Sequence, residues 1–218
     1  MNTKIKRILM SVFGVVFCGI SVGLFRFAAF GVDPFQSFMS GTEFLTKIKI
    51  GILNVIVNGV LILFALAFDR RRIGIATVIN MTLLGFIAQF SEDTLKLLLN
   101  ENSIVIRCVF FAIGFVSHCF SSALYMTADL GVSTYDAVAI VMAEKWKLGK
   151  FKFIRICTDF VCVILGITLF MLGGGEWTKI PTIVGVGTIL TAFFMGPLID
   201  FFNRTAARPM LYGKTSNK

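Results

Sequence analysis

The sequence predicts an all-α, polytopic membrane protein whose six transmembrane helices form two inverted three-helix repeats. Three observations predict this fold. Of the 218 residues, 56% are hydrophobic and only 15% are charged, which is too little polar surface for a soluble domain. At least six apolar runs approach the roughly 20 residues that a helix needs to cross a bilayer. The chain also resembles itself at an offset of about one hundred residues.

The apolar runs place six spans along the chain. The first run follows a basic segment, 1–7, but it is too long for a secretory signal and no small-residue cleavage pattern closes it, so we interpret it as an uncleaved span. An alternative lets 33–46 and 133–146 cross as well, but each has only about fourteen residues and contains a glutamate. The predicted spans are about 8–30, 49–68, 73–90, 104–128, 156–172 and 180–202.

The charged loops predict the orientation of these spans, because lysine and arginine collect in cytoplasmic loops. With a cytoplasmic N-terminus, fifteen of the 21 basic residues fall in inner segments and six in or beside outer ones. Cationic cytoplasmic loops therefore account for the net charge of +9, and no nucleic-acid partner is expected. We expect a multi-pass protein of the plasma (inner) membrane with both termini in the cytoplasm. The inner cations are Lys4, Lys6, Arg7, Arg70, Arg71, Arg72, Lys145, Lys147, Lys150, Lys152, Arg155, Arg204, Arg208, Lys214 and Lys218.

Three blocks of sequence recur in the same order, and in the middle one Lys49, Asn54 and Asn58 fall on Lys150, Arg155 and Asp159. Residues 13–36 share seven of 24 positions with 113–136, and 73–90 keep glycines, a threonine and a phenylalanine in register with 184–201. The seven residues of the first block are Gly14, Val16, Ser21, Leu24, Ala28, Gly31 and Val32, which recur as Gly114, Val116, Ser121, Leu124, Ala128, Gly131 and Val132.

The recurrence divides the chain into halves of opposite orientation. The predicted repeats are residues 1–100 and 101–218, and each contains three spans. Because three is odd, the second repeat enters the membrane from the opposite side to the first. Inverted repeats are typical of secondary transporters, whose solute site lies at the repeat interface.

Each half interrupts its apolar sequence with a glycine that is followed by helix-start residues. Gly31 precedes Asp33 and Pro34, which are typical of an N-cap and of the first helical position. Gly131 precedes Ser133, which opens a sequence similar to a capping box. Two interpretations stay open for the short helices. They dip into the membrane and aim their N-termini at an anionic solute, or they lie along the lipid headgroups.

Polar residues within apolar spans are costly and mark candidate sites. Asp159 lies about one turn inside the fifth span, and Arg155, four residues earlier, is within reach of it. A structural ion pair, a helix cap or a snorkelling side chain is the alternative role for such residues. The repeat alignment places Asn58 opposite Asp159, Gln89 opposite Asp200, and Gln36 opposite Asp136. The candidates for solute or coupling-ion binding are Asp136, Asp159, Asp200, Arg155, Asn58 and Gln89.

The sequence offers no constellation for catalysis. It contains no nucleophile–base pair, no pair of catalytic carboxylates and no cofactor fingerprint, so we expect neither an enzyme nor a cofactor. His118 is the only histidine and has no second strong metal ligand at helical spacing, so no metal site is expected. A hydrogen-bonded packing residue and a proton relay are the alternatives for His118.

Three short motifs resemble those of a known family. ADLGVSTYD at 128–136, VGVGT at 184–188 and GPLID at 196–200 resemble the YczE/YitT-type family of bacterial integral membrane proteins. GVDPF in the first half keeps the proline that Thr134 replaces in the second. The resemblance implies a polytopic plasma-membrane protein and no particular biochemical activity.

Three functions remain as hypotheses. The first is a small-solute transporter or permeation protein with its site between the repeats. The second is the substrate-binding membrane subunit of a multi-component uptake system, which needs an energising partner subunit. The third is a non-transporting accessory or regulatory protein. The expected partners are the bilayer and a small solute, with a second copy of the chain or an energising subunit as a protein partner.

The predicted orientation is tested with reporter fusions. Fusions at the Arg70–Arg72 turn, within the Lys145–Arg155 connector and at the C-terminus are expected to report the cytoplasm, because cationic loops stay on that side. A fusion after Lys96 is expected to report the outside. If the two cationic loops report opposite sides, the inverted arrangement is wrong.

Overall fold

The computed structural model describes residues 3–70, 73–99, 103–131, 133–149 and 151–213, without the side chain of Lys152. Over this part the chain is helical, and six helices are long and apolar enough to cross a membrane, as predicted. Several residues named above lie outside the described part: Arg71, Arg72, Val132, Lys150, Lys214 and Lys218.

The described helices follow the order of the predicted spans. A π-helical turn, Val141–Lys145, continues α6, and another, Asn203–Ala207, joins α9 to α10. The two short elements between the spans are too short to cross a bilayer, which excludes the eight-span alternative for this structure. The helices are α1 (Thr3–Ala28), α2 (Pro34–Thr46), α3 (Ile50–Phe68), α4 (Ile75–Leu98), α5 (Ile104–Ala128), α6 (Thr134–Ile140), α7 (Phe151–Leu172), α8 (Ile180–Ile183), α9 (Val186–Phe202) and α10 (Arg208–Tyr212).

Helix α1 lies at the centre of the bundle. Of the residues in its apolar stretch 56% are buried, whereas the share is 33% or less for every other candidate span. Glycines let its backbone approach its neighbours closely. Gly19 lies against Ile87 of α4, and Gly23 lies against Ser91 one turn further along α4. Residue numbers rise together along this contact, so α1 and α4 run in the same direction.

Helices α1 and α5 run in opposite directions. Gly14 of α1 lies against Ser121 of α5, whereas the ring of Phe25, further along α1, lies 5.3 Å from that of Phe111, near the start of α5. The first spans of the two predicted repeats are therefore antiparallel neighbours.

The short helix α2 follows the C-terminal part of α7. Gly41 lies against Gly166, and the ring centroids of Phe44 and Phe170 are 4.4 Å apart. At its end, α2 reaches the start of α3, where a Glu43 carboxylate oxygen accepts a hydrogen bond from the Ile50 backbone N–H at 2.9 Å.

The short helix α6 follows the C-terminal half of α3. The hydroxyl of Thr134, the first residue of α6, donates to Asn58 near the middle of α3. The ammonium of Lys145, at the end of the π-helical turn, donates to the carbonyl of Phe68, the last residue of α3.

Both glycine breaks adopt backbone angles that other residues resist, with φ of +92° at Gly31 and +120° at Gly131. Each break lies against the start of the last span of the other half. Gly31 contacts Gly185 before α9, and Gly131 contacts Gly74 before α4. A Cβ atom at either glycine would collide with backbone.

Backbone hydrogen bonds fix these two contacts. The carbonyl of Phe30 accepts from the N–H of Gly187 at 2.7 Å, and the carbonyl of Leu130 accepts from the N–H of Ala76 at 3.2 Å. The polar groups that each break exposes are thus satisfied by the other half of the chain, as an apolar environment requires.

Arginine side chains stabilise the ends of α1 and α5 in corresponding ways. Arg107 donates from Nε to the carbonyl of Ala28 at 2.6 Å, and from a second guanidinium nitrogen to that of Ala29 at 2.8 Å. At the other end of the pair, a guanidinium nitrogen of Arg7 lies 3.7 Å from a carboxylate oxygen of Asp129. The last carbonyls of a helix carry partial negative charge, which a cation neutralises.

Replacing Gly31 or Gly131 with alanine is expected to destabilise the fold. Left-handed backbone angles cost a residue with a Cβ about 1–2 kcal/mol, and the collision with the neighbouring helix start adds to that cost. Unfolding of the purified protein in detergent measures the effect.

Gly59→Ala is the matched control, because no atom lies within 4 Å of a Cβ at that position inside α3. This variant should match the original protein or exceed it in stability. Equal stability of all three variants would contradict the role of the two breaks.

Candidate functional site

The candidate site lies where α2 and α6 begin. The aromatic rings of Phe35 and Tyr135 stack there, with centroids 5.0 Å apart and planes inclined by 26°. These residues are one hundred positions apart, so they correspond in the repeat alignment. The breaks that precede them lie at opposite ends of α1, a helix of 26 residues and hence about 39 Å long. The starts of α2 and α6 therefore lie inside the bundle, away from the ends of α1.

The side chain of the residue before each short helix caps the N-terminus of that helix, as the sequence predicts. The Asp33 carboxylate accepts from the N–H of Gln36 at 3.1 Å, and Pro34 occupies the first helical position. The hydroxyl oxygen of Ser133 accepts from the N–H of Asp136 at 3.1 Å and donates to the Asp136 carboxylate at 2.7 Å. Each cap thus occupies one of the backbone N–H groups with which a helix N-terminus would bind an anion.

Arg155 of α7 joins the start of α6 into a charged cluster. Its guanidinium pairs with the Asp136 carboxylate, and its Nε lies 3.4 Å from Oδ1 of Asp159 one turn further along α7. The guanidinium carbon lies 4.2 Å from the centre of the Tyr135 ring. The hydroxyl of Tyr135 donates to Oδ1 of Asp159 at 2.7 Å. The pair that the sequence allows between Arg155 and Asp159 forms, and Asp136 joins it.

Asp33 adds a third carboxylate to the cluster. It lies close enough to interact electrostatically with Arg155 and Asp159. Two carboxylates thus contact the Arg155 guanidinium and a third lies nearby, so the cluster holds more carboxylates than cations.

Asn58 positions the start of α6. Its side-chain oxygen accepts from the Thr134 hydroxyl, and its Nδ2 donates to the carbonyl and side-chain oxygens of Asn54 at 2.8 and 3.0 Å. Asn54 in turn donates to the carbonyl of Met81 at 3.1 Å. This chain of hydrogen bonds links α4 and α3 to the start of α6, one residue before Tyr135.

The other two candidates make contacts elsewhere. Gln89 accepts from the N–H of Gly51 at 3.3 Å, which joins α4 to α3. Asp200 pairs at 2.7 Å with Arg204, which lies four residues further along the chain. The side chains of both residues are more than half exposed. The structure therefore brings together Asp136, Arg155 and Asp159, and it links Asn58 to them through Thr134.

Sequence reasoning did not select Tyr135 or Asp33 for this cluster. The signal for Tyr135 was its alignment with Phe35, since aromatic residues at corresponding positions of an inverted repeat can meet at the axis between the halves. Asp33 was selected only as a helix cap, because its distance from Arg155 in sequence hides their proximity.

A second charged cluster also escaped the sequence reasoning. Arg26 of α1 pairs with Glu43 of α2 and with Glu92 of α4, and it donates to the Ser40 hydroxyl at 2.8 Å. The side chains of Arg26 and Glu92 are only 12% and 10% exposed. Lys96 also contacts Glu92 at 2.6 Å, so the cluster balances two cations with two carboxylates. It ties three helices together and lets α4 continue past the predicted end at residue 90.

His118 lies buried between α1 and α5. Its Nδ1 is 2.9 Å from the Ser21 hydroxyl and 3.8 Å from the Cys18 sulfur. These contacts correspond to the hydrogen-bonded packing arrangement that the sequence left as one of two alternatives.

Comparison with known proteins gives a family and no activity. The family model described as "Family of unknown function (DUF6198)" matches residues 5–204. An "Uncharacterized protein" of Haemophilus influenzae is 27% identical over 207 residues, which cover 95% of this chain and 88% of the relative. The "Uncharacterized membrane protein YczE" of Bacillus subtilis is 24% identical over 175 residues, covering 79% and 74%. The predicted resemblance to YczE is thus confirmed, and no solved structure matches significantly.

Replacing Arg26 with glutamine is expected to destabilise the protein by about 3–5 kcal/mol, because it leaves the carboxylates of Glu43 and Glu92 with a single cation, Lys96, in the cluster. Arg204→Gln is the control. It breaks an exposed pair, which is worth at most about 1 kcal/mol. Denaturant unfolding in detergent at neutral pH compares the two variants, and equal losses would contradict a structural role for the Arg26 cluster.

Proposed function

This chain belongs to the family of unknown function (DUF6198), and we propose that it is a small-solute transporter or permeation protein built from two inverted repeats. The solute site in this proposal is the charged cluster of Asp33, Tyr135, Asp136, Arg155 and Asp159, where α2 and α6 begin. The observation that carries the proposal is the stacking of Phe35 on Tyr135 beside that cluster, inside a bundle of six apolar helices.

Reciprocal contacts support the inverted repeat. An inverted repeat requires that a contact between residue i of the first half and residue j of the second recurs with the halves exchanged. The contact of Gly31 with Gly185 recurs as that of Gly131 with Gly74. The aligned pairs of contacts are Gly31–Gly185 with Gly131–Gly74, Gly14–Ser121 with Gly114–Ser21, and Arg7–Asp129 with Arg107–Ala29.

Contacts at the start, middle and end of α3 indicate how deep the site lies in the membrane. The end of α2 contacts Ile50 at the first residue of α3, and the end of the π-helical turn after α6 contacts Phe68 at the last. The start of α6 contacts Asn58, which lies near the middle of α3. The start of α2 lies against the start of α6, because Phe35 stacks on Tyr135. We infer two half-membrane helices that enter from opposite faces and place their N-termini together near the bilayer midplane, as in many transporters.

The charge of the cluster favours a cationic solute or a coupled proton. Arg155 is already paired with two carboxylates, and the N-termini of α2 and α6 are already capped. With all three aspartates ionised the cluster would carry a formal charge of −2, which a low-dielectric environment strongly disfavours. A bound cation, or a proton on one of the three carboxylates, relieves that charge. The anionic solute that helix N-termini alone would favour fits this arrangement poorly.

Uptake into liposomes that contain only the purified protein tests the proposal. Methylammonium and guanidinium are the cationic probes, with glycerol and acetate as neutral and anionic comparisons. We expect cation uptake above that of empty liposomes. Asp159→Asn is expected to reduce it by about ten- to a hundredfold, the usual cost of losing a charged hydrogen-bond partner.

Asp200→Asn is the matched control, since Asp200 is exposed and pairs only with Arg204 on the next turn. It should leave uptake unchanged. Absence of uptake for every probe would contradict transport by the protein alone and favour a role that needs a partner subunit. Uptake that survives Asp159→Asn would contradict the site.

A further inference from the structure

An apolar groove runs along the outside of the bundle, away from the charged cluster. It lies between α1, α5 and α10 and has a volume of about 400 Å³. Leu9, Phe13 and Phe17 of α1 form one wall, and these residues are 41%, 55% and 43% exposed. Phe120 of α5 and Met210 of α10 contribute to the other walls.

The groove faces hydrocarbon if the spans cross a bilayer. Its lining residues belong to three of the six candidate membrane spans. Large apolar side chains with this exposure are stable in lipid, and an apolar groove in lipid is filled by an acyl chain because water has no partners there.

The length of the groove matches one leaflet. From Lys6 to Phe17 the wall on α1 is twelve residues long, which is a rise of roughly 16 Å along the helix. Half of the bilayer hydrocarbon is about 15 Å thick. An acyl chain that enters beside Lys6 would therefore be accommodated to the middle of the membrane.

The charge at the mouth of the groove selects the headgroup. Lys6 is the charged residue among those that line the groove, and it lies in the basic first turns of α1. The neighbouring Arg7 is engaged with Asp129 at 3.7 Å and with the Tyr212 hydroxyl at 3.2 Å, which holds α10 beside the groove. Lys6 is thus placed to meet a phosphate where the acyl chain enters.

We propose that this groove is a binding site for a phospholipid with an anionic headgroup, whose acyl chain lies along α1 and whose phosphate contacts Lys6. The site is independent of the solute site, because the two share no residue. It would bind from the leaflet on the side of the α1 N-terminus.

Native mass spectrometry of the delipidated protein tests the site, with dioleoyl phosphatidylglycerol and dioleoyl phosphatidylcholine as probes. The original protein is expected to retain one lipid and to prefer phosphatidylglycerol. Leu9→Trp fills the groove and should abolish retention. Lys6→Gln should keep the acyl chain but reduce the preference for the anionic headgroup by about fivefold.

Two control variants separate the groove from general lipid contact. Val60→Trp enlarges an exposed position of α3, and Lys179→Gln removes a cation near the start of α8, so both should behave as the original protein. Equal retention by Leu9→Trp and Val60→Trp would overturn the groove as a site. An unchanged headgroup preference in Lys6→Gln would also overturn the proposal. So would a mass spectrum that shows a dimer of the protein without bound lipid.

Discussion

Backbone groups that a helix break frees inside a packed bundle must find their hydrogen-bond partners within the protein, and this constraint organises the fold. The chain breaks after α1 and again after α5. In each place the freed carbonyl accepts from the N–H groups at the start of the last span of the other half. Gly31 and Gly131 make this contact sterically accessible, because a side chain at either position would collide with backbone. Each half of the bundle is therefore completed by the other.

Once the breaks are fixed, the returning segments bring charged residues into the centre. The short helices α2 and α6 start beside each other, and Arg155 of α7 lies against both Asp136 and Tyr135. These partly buried charges contribute little net stability, since desolvation offsets most of their attraction. The Arg26 cluster differs, because its charges balance and it joins α1, α2 and α4. The unbalanced cluster is the better candidate for function, and the balanced one for structure.

Several features of this arrangement were predictable from local sequence. Asp33 with Pro34 and Ser133 with Asp136 specify helix starts through bonds that span three residues. The pair between Arg155 and Asp159 follows from helical spacing alone. Interactions between distant helices were not predictable in this way. Arg26 with Glu92, Tyr135 with Asp159, and the exposed position of Asp200 depend on which faces of the helices meet.

The sequence by itself determined the helical class, the six spans and the positions of the two breaks, because hydropathy and helix capping act over short stretches of chain. It also carried the signs of a repeat, which the reciprocal contacts support. Only the tertiary structure decided that both short helices begin inside the bundle, that Asp136 joins Asp159 in pairing with Arg155, and that Gln89 and Asp200 lie elsewhere. Rotation and depth of packed helices depend on contacts between residues far apart in sequence, and apolar side chains of similar size specify those contacts only collectively.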